Sequence, residues 1–144
     1  MAFPERADRV RRGSYLVNAV SDCAGCHTDG NPDGRFDSGL LPGSFDVNPQ
    51  TYLAGGVNMR ALFGLTFEVN SRNLTPHPTT GLELTEQQFL EAIRFGADFR
   101  GNGRSMRVQP HFPLEYRMTE EDIRSIYAYL QSIPAVDNNV TITP

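Results

Sequence analysis

The sequence predicts an all-α protein in which about three main helices are joined by long loops. Three stretches combine helical spacing of apolar residues with helix-capping residues: 4–20, 85–96 and 119–134. Residues 28–66 are instead rich in glycine and proline, which punctuate turns and prevent long regular elements. Little sheet is therefore expected, with short strands only around residues 66–69.

The first helix is expected to run from Pro4 to about Val20. Proline suits the first turn of a helix, and charged side chains of both signs cover the first half of this stretch. Gly13 interrupts the pattern at a cost of about 1 kcal/mol relative to alanine. A glycine at such a position indicates a close crossing with another element, and a flexible defect in the helix is the alternative.

Capping residues mark the other two helices. Thr85 and Gln88 form the pattern of a capping box, and Gly96 suits the residue that follows the last helical turn. Thr119 is followed by three acidic residues, which favour a helix N-terminus. Pro134 is expected to end this third helix, because proline cannot continue it.

Length and composition limit the class of protein. A chain of 144 residues predicts one domain, 1–144, whose tail at 135–144 should be extended and weakly held. The net charge of −4 gives no reason to expect a nucleic-acid partner, and no apolar run is long enough to span a membrane. All 13 basic residues are arginine, so any cationic docking face would consist of arginine.

The only two cysteines lie in one motif, Cys23-Ala24-Gly25-Cys26-His27. In a Cys-x-x-Cys-His motif the thiols add to the two vinyl groups of haem, and the histidine binds the iron as proximal ligand. Two intervening residues let the chain curl so that both sulfurs reach one porphyrin edge. A bound haem would also organise the long loop that follows, which is otherwise unusual in a compact domain.

Three other interpretations of the motif compete with covalent haem. A thioredoxin-like redox pair expects a preceding strand and a longer α/β chain. A zinc site needs four ligands, and His77 and His111 lie too far along the chain for a zinc-finger spacing. A structural disulfide leaves His27 without a role. The motif therefore favours one covalent haem c.

Such a haem is attached outside the bacterial cytoplasm, so we expect a periplasmic protein. Residues 1–5 lack a signal-peptide profile, so we expect that its leader was cleaved or omitted.

Several further stretches accompany the motif in a recognisable order: 12–17, 52–56, 71–76, 89–96, 118–123, 127–130 and 133–134. With them the chain resembles class I cytochromes c, in particular the cytochrome c domains and subunits of bacterial dehydrogenases such as alcohol dehydrogenase. The resemblance implies a cytochrome c-like fold wrapped around one haem. It also implies that the first and last helices cross near a glycine and an aromatic residue, here Gly13 against Tyr127 or Tyr129.

The sequence leaves the sixth iron ligand open. Members of the family usually carry an axial methionine in a Met-Pro segment before the last helix, but residues 108–113 contain no such pair. Met118, just before the third helix, is the first candidate, and its alternative role is to pack against the start of that helix. His111 and Met106 are the other candidates, and a histidine would give a haem of lower potential. An open or water-ligated position is the remaining alternative.

Five arginines lie in or next to the segment that contains the candidate sixth ligands: Arg94, Arg100, Arg104, Arg107 and Arg117. They are interpreted either as a patch that steers an acidic redox partner or as solvated residues, of which one or two pair with haem propionates. Arg72 is a further candidate for a propionate.

The resemblance implies an electron carrier without catalytic residues of its own. It would be a periplasmic monohaem cytochrome that accepts electrons from a dehydrogenase or respiratory donor and passes them to an oxidase or another cytochrome. The alternative is a small haem oxidoreductase, for example one acting on thiosulfate, or a haem-based ligand sensor. Both alternatives need a labile sixth position.

Overall fold

A computed structural model describes residues 6–29, 39–41, 43–44, 46–60, 64–97 and 117–140. Four α-helices lie within these ranges: α1 (Arg6–Tyr15), α2 (Cys23–His27), α3 (Glu86–Phe95) and α4 (Glu120–Leu130). The described residues form no β-strand, only isolated bridges, which confirms the predicted all-α class. None of the helices in these ranges is both long and apolar enough to cross a lipid bilayer.

The first predicted helix is present, but its geometry changes near its end. The α-helical part stops at Tyr15 and continues as a π-helix, Leu16–Val20. The wide turn is closed by a hydrogen bond of 2.8 Å from Ser21 N to Leu16 O, five residues apart. Leu16 and Val17 are buried, whereas residues 18–20 are exposed.

The chain divides into two compact units, each built from separate stretches. The three-helix unit, Met1–Ser21 with Leu84–Ser132, contains α1, α3 and α4. The loop unit, Asp22–Glu83 with Ile133–Pro144, contains α2 and the glycine-rich segment.

In the three-helix unit, α1 crosses α4 at Gly13. A Cβ atom at this position would lie 2.0 Å from the main-chain oxygen of Ser125 and 2.7 Å from Cβ of Tyr129. Only glycine permits this approach, because the obstructing oxygen belongs to the helix backbone. The predicted crossing is therefore confirmed, with Tyr129 as its aromatic residue.

Both predicted helix starts are confirmed. Thr85 Oγ1 accepts a hydrogen bond from Gln88 N at 3.2 Å, and Gln88 Oε1 accepts one from Thr85 N at 3.0 Å. Thr119 and Asp122 make the equivalent pair of hydrogen bonds at the start of α4. These reciprocal bonds satisfy main-chain N–H groups that a helix start leaves without partners.

The first helical stretch ends at Val20 as predicted, and of the two later helices one end is confirmed. Gly96 ends α3 in the left-handed conformation, with φ of 68°, as predicted. The prediction that Pro134 ends the third helix is wrong, because α4 stops at Leu130. A tight turn ends it instead, in which Ser132 N donates to Tyr129 O at 2.8 Å.

Arginine–carboxylate pairs join the helices of this unit. The pairs are Arg9 with Glu121 at 2.7 Å, Arg12 with Asp122 at 2.7 Å, and Arg124 with Glu86 at 2.9 Å. Burial opposes ionisation of Asp122, but hydrogen bonds from Arg12 and Thr119 and the charge of Arg12 outweigh it and lower the pKa of this carboxyl.

In the loop unit, main-chain hydrogen bonds replace regular sheet. Met59 N donates to Val69 O at 2.8 Å, and Ser71 N donates to Val57 O at 2.9 Å. Only an isolated bridge, Asn58 with Asn70, forms here, so the short strands expected around residues 66–69 are absent from these described residues. The expectation fails because a single bridged pair is too short to make a strand ladder.

The C-terminal segment is held more firmly than its composition indicates. Asn73 Nδ2 donates to Val136 O at 2.8 Å, and Asn138 Nδ2 donates to Ala54 O at 2.9 Å. The expectation of a weakly held tail is therefore wrong for residues 135–138, while residues 141–144 lie outside the described ranges. Side-chain amides make these contacts, and they leave no periodic pattern in the sequence.

Candidate functional site

The Cys-x-x-Cys-His motif forms the short helix α2. Asp22, which precedes it, adopts the left-handed conformation with φ of 49°, and its main-chain oxygen accepts a hydrogen bond from Gly25 N at 3.1 Å. Cys23 and Cys26 are three residues apart in a helix, so both thiols lie on one face. Both cysteines are described by the structure, both are half-buried, and they do not form a disulfide.

His27 is fixed at its ring and at its main chain. Its Nδ1 lies 2.8 Å from the main-chain oxygen of Arg72, and its own carbonyl accepts a hydrogen bond from Gly55 N at 2.7 Å. Because a carbonyl oxygen can only accept, Nδ1 carries the proton, and in the neutral imidazole Nε2 then carries the lone pair. Metal-binding histidines are commonly oriented in this way, and the hydrogen bond makes them more basic.

Gly55 allows the chain to approach Arg72 closely. Its φ is +72°, and a Cβ atom at this position would lie 2.4 Å from the carbonyl carbon of Arg72. The sequence did not point to this contact. The signal available in it is the adjacent pair Gly55-Gly56, since a glycine in a segment of extended pairing often marks close approach of another backbone.

The surroundings of Cys26 disfavour the thiolate. Burial, and then the negative charge of Asp22, raise the pKa of this thiol above its ordinary value.

The described residues hold no group of three or more His, Cys, Asp or Glu side chains arranged for a metal ion. The donor set on α2 is two thiols on one face and an imidazole with a defined Nε2 lone pair, which fits a c-type haem.

Met118 is the only one of the three candidate sixth ligands that the structure describes. It is 9% exposed, and its main-chain oxygen accepts a hydrogen bond from Arg94 at 2.7 Å. It directly precedes Thr119, the N-cap of α4, and Ile123, at the position where a hydrophobic staple would pack, is fully buried. His111 and Met106 lie outside the described residues.

The arginines interpreted either as a cationic patch or as solvated residues are only partly described. Arg94 is half-buried and makes an internal contact with the Met118 carbonyl, whereas Arg117 is exposed. Arg100, Arg104 and Arg107 lie outside the described residues. Arg72 contributes its main-chain oxygen to His27, a role that its side chain does not reveal.

The chain is similar to cytochrome subunits of bacterial dehydrogenases. The fructose dehydrogenase cytochrome subunit of Gluconobacter japonicus is 34% identical over 85% of this chain and 21% of that protein. The cytochrome c subunit of a quinone alcohol dehydrogenase from Gluconacetobacter polyoxogenes is 31% identical over 83% of this chain and 21% of that protein. The gluconate 2-dehydrogenase cytochrome c subunit of Pantoea cypripedii is 29% identical over 83% of this chain and 22% of that protein.

These homologues confirm the predicted resemblance to cytochrome c subunits of bacterial dehydrogenases. The chain spans about a fifth of the length of these relatives. No protein-family model matches it.

Proposed function

We propose that this chain is a monohaem c-type cytochrome unit that transfers electrons, in which Cys23 and Cys26 hold the haem covalently and His27 binds its iron. The observation that carries the proposal is the 2.8 Å contact between His27 Nδ1 and the main-chain oxygen of Arg72. It defines the Nε2 lone pair of a histidine that directly follows two thiols on one helical face. The names of the homologous subunits support the same function.

The haem would supply an iron that takes up and releases one electron. The task of the polypeptide is then to hold the imidazole in one orientation in both oxidation states. Two main-chain contacts serve this purpose, because Gly55 N binds the His27 carbonyl and Arg72 O binds the ring N–H. Such a role requires no catalytic side chain.

Export of the chain behind a periplasmic leader, in cells that attach haem to cytochromes, tests the proposal. We expect one haem per chain that stays bound after denaturation and has the visible spectrum of a c-type haem. Changing both Cys23→Ala and Cys26→Ala should make the haem extractable, whereas the exposed Asp29→Ala control should retain it. Release of haem from the denatured unmodified chain contradicts covalent attachment.

For the sixth ligand, the proposal names Met118. Its burial and the hydrogen bond from Arg94 to its carbonyl hold this residue at the start of α4. The long-wavelength charge-transfer band between methionine and ferric iron should disappear in Met118→Ala and persist in Met106→Ala and His111→Ala. Persistence of the band in Met118→Ala would leave Met118 with the role of packing at the helix start.

The location and partners in this proposal follow from haem attachment and from the relatives. The site of attachment makes the protein periplasmic. The relatives are named as subunits of fructose, alcohol and gluconate dehydrogenases, which supports a dehydrogenase as the electron donor. The acceptor in this proposal is an oxidase or another cytochrome. Stopped-flow mixing with such a dehydrogenase and its substrate should reduce the haem, and a haem that stays oxidised would contradict this assignment.

A further inference from the structure

We propose that Asn138 is a positioning residue for His27, because the C-terminal segment 136–138 clamps the two loop segments that hold this histidine. The inference rests on the proposed function, in which His27 binds the haem iron. It gives the C-terminal segment a role in setting the orientation and basicity of His27.

His27 is held between segments 53–57 and 71–74 of the loop unit. The first segment binds its main-chain oxygen through Gly55 N at 2.7 Å, and the second binds its ring through Arg72 O at 2.8 Å. The two segments are joined by hydrogen bonds from Gly56 N to Ser71 O at 2.8 Å and from Leu74 N to Leu53 O at 2.9 Å. Movement of either segment therefore changes the contacts of the histidine.

The C-terminal segment makes hydrogen bonds to both of these segments. Asn138 Nδ2 donates to Ala54 O at 2.9 Å and to Gly55 O at 3.3 Å. From the other segment, Asn73 Nδ2 donates to Val136 O at 2.8 Å and to Asn138 O at 3.4 Å. Asn138 thus touches the neighbours of both residues that hold His27, namely the residue before Gly55 and the residue after Arg72.

Because these groups are buried, loss of the hydrogen bonds between segment 136–138 and the two loop segments costs free energy. Ala54 is 3% exposed and Asn73 is 1% exposed. A buried acceptor that loses its partner keeps its desolvation penalty, so removal of the Asn138 amide disfavours the present arrangement of segment 53–57. Segment 71–74 is affected through its hydrogen bonds to segment 53–57. The Thr80 hydroxyl, which accepts from Asn138 N at 3.2 Å, keeps the main chain of the C-terminal segment in place when only the side chain changes.

The reduction potential should change when the hydrogen bonds between segment 136–138 and the two loop segments are lost. Donation of the ring N–H to Arg72 O makes Nε2 a more basic ligand, and a more basic ligand favours ferric iron. If the segments around residues 54–55 and 72–73 relax, this hydrogen bond lengthens. The reduction potential should then rise, and the Nδ1 proton of His27 should exchange faster with solvent.

The holoprotein variants Asn138→Ala and Asn138→Asp test the inference. Aspartate keeps the shape of the side chain but lacks its two N–H donors. For Asn138→Ala we expect a higher reduction potential than for the unmodified protein. Asn138→Asp also adds a negative charge, which by itself lowers the potential, so the exchange rate of the His27 ring proton is the readout for that variant. We also expect exchange of the His27 ring proton, followed by NMR in the ferrous state, to be about fivefold faster, as for the loss of one hydrogen bond. The exposed neighbour variant Asn139→Ala is the matched control and should leave both quantities unchanged.

An unchanged potential in Asn138→Ala together with an unchanged exchange rate in both variants, with haem retained and helical content intact by circular dichroism, would overturn the inference and leave the proposed function standing. If the unmodified chain holds no haem, the proposed function fails instead. In that case the exchange rate of the His27 ring proton can still be compared between the unmodified chain and Asn138→Asp, both without haem. Faster exchange in the variant would support the positioning role of Asn138, and equal rates would contradict it.

Discussion

Gly55 and Gly43 share a backbone φ of +72° but differ in their surroundings. A Cβ atom at Gly43 would meet nothing within 4 Å, whereas at Gly55 it would meet the carbonyl carbon of Arg72 at 2.4 Å and the carbonyl oxygen at 2.5 Å. Substitution of Gly43 therefore measures the free-energy cost of left-handed backbone alone. Substitution of Gly55 measures that cost together with the cost of crowding the segment that orients His27.

We expect Gly43→Ala to lower the free energy of unfolding by about 1 kcal/mol, the cost of a side chain in the left-handed region. Gly55→Ala should lower it by at least about 3 kcal/mol, because the added methyl group must also displace main-chain atoms. Urea denaturation of both variants measures the difference. Equal losses would contradict the close approach at Gly55.

The sequence identifies the ligands of the proposed site but not the atoms that orient them. Cys23, Cys26 and His27 are recognisable because their chemistry depends on local spacing. The partner of His27 is a main-chain oxygen, and every residue type carries one. Arg72 therefore attracts attention for its guanidinium group, while its contact with His27 is made by an atom that the sequence cannot distinguish.

At the scale of helices, contacts between distant stretches decide stability. Arg9 on α1 binds Glu121 on α4, which lies 112 residues later in the chain. Gly13 lies at the point where these helices cross, with the Ser125 carbonyl against its α-carbon. Any side chain at position 13 would therefore separate two helices that also share ion pairs.

Gly13→Ala should destabilise the protein by about 1–3 kcal/mol, which is the usual cost of forcing an extra methyl group into a packed interface. On an isolated helix the same change would stabilise by about 1 kcal/mol, so the sign of the effect tests the crossing. Thermal denaturation should show a lower midpoint for this variant. The exposed variant Arg11→Ala should change the midpoint little, because exposed ion pairs contribute little. A higher midpoint for Gly13→Ala would contradict the crossing.

The cap of α4 should produce a pH-dependent contribution to stability. The native pKa of Asp122 is lowered, so its carboxylate stabilises the fold above the unfolded pKa of about 3.9, and this contribution is lost as the pH falls through the native pKa. The unmodified protein should exceed Asp122→Asn in free energy of unfolding by about 1 kcal/mol above about pH 5. This excess should shrink below about pH 4. Denaturant titrations between these pH values measure it, and a constant difference would contradict the ionised cap.

The helices show where local sequence information is sufficient. The capping boxes at Thr85 and Thr119 involve residues three apart, so a short pattern identifies them. The end of α4 at Leu130 and the attachment of Asn138 depend on turns and amide contacts that do not alter hydrophobic periodicity. Such features are set by tertiary contacts, and spacing alone does not reveal them.

At the scale of the whole molecule, each compact unit combines an early and a late part of the chain. The three-helix unit needs both Met1–Ser21 and Leu84–Ser132, and the loop unit needs both Asp22–Glu83 and Ile133–Pro144. Loops of this length must close before the native contacts form, which generally slows folding. The glycine-rich part of the loop unit lacks strands in its described residues, so a covalent haem at α2 would supply apolar contacts that the polypeptide does not.

Carbon monoxide separates an electron carrier from the alternative of a haem enzyme or ligand sensor. A carrier with two protein ligands on its iron should bind little carbon monoxide in the ferrous state at neutral pH. Visible spectra recorded before and after addition of the gas measure the bound fraction. Met118→Ala should bind more if Met118 is the sixth ligand, whereas the control Met59→Ala should not. Rapid and complete binding by the unmodified protein would favour the enzyme or sensor.

The π-helix at Leu16–Val20 has a consequence for the evolution of this chain. Its closing hydrogen bond spans five residues, from Ser21 N to Leu16 O, so this turn holds one residue more than an α-helical turn does. Loss of a single codon in this stretch would let the turn close as an α-helix while leaving the crossing at Gly13 in place. Alignments with homologues that are one residue shorter before the haem motif should therefore place the gap between positions 16 and 20, and an insertion here is the simplest origin of the wide turn.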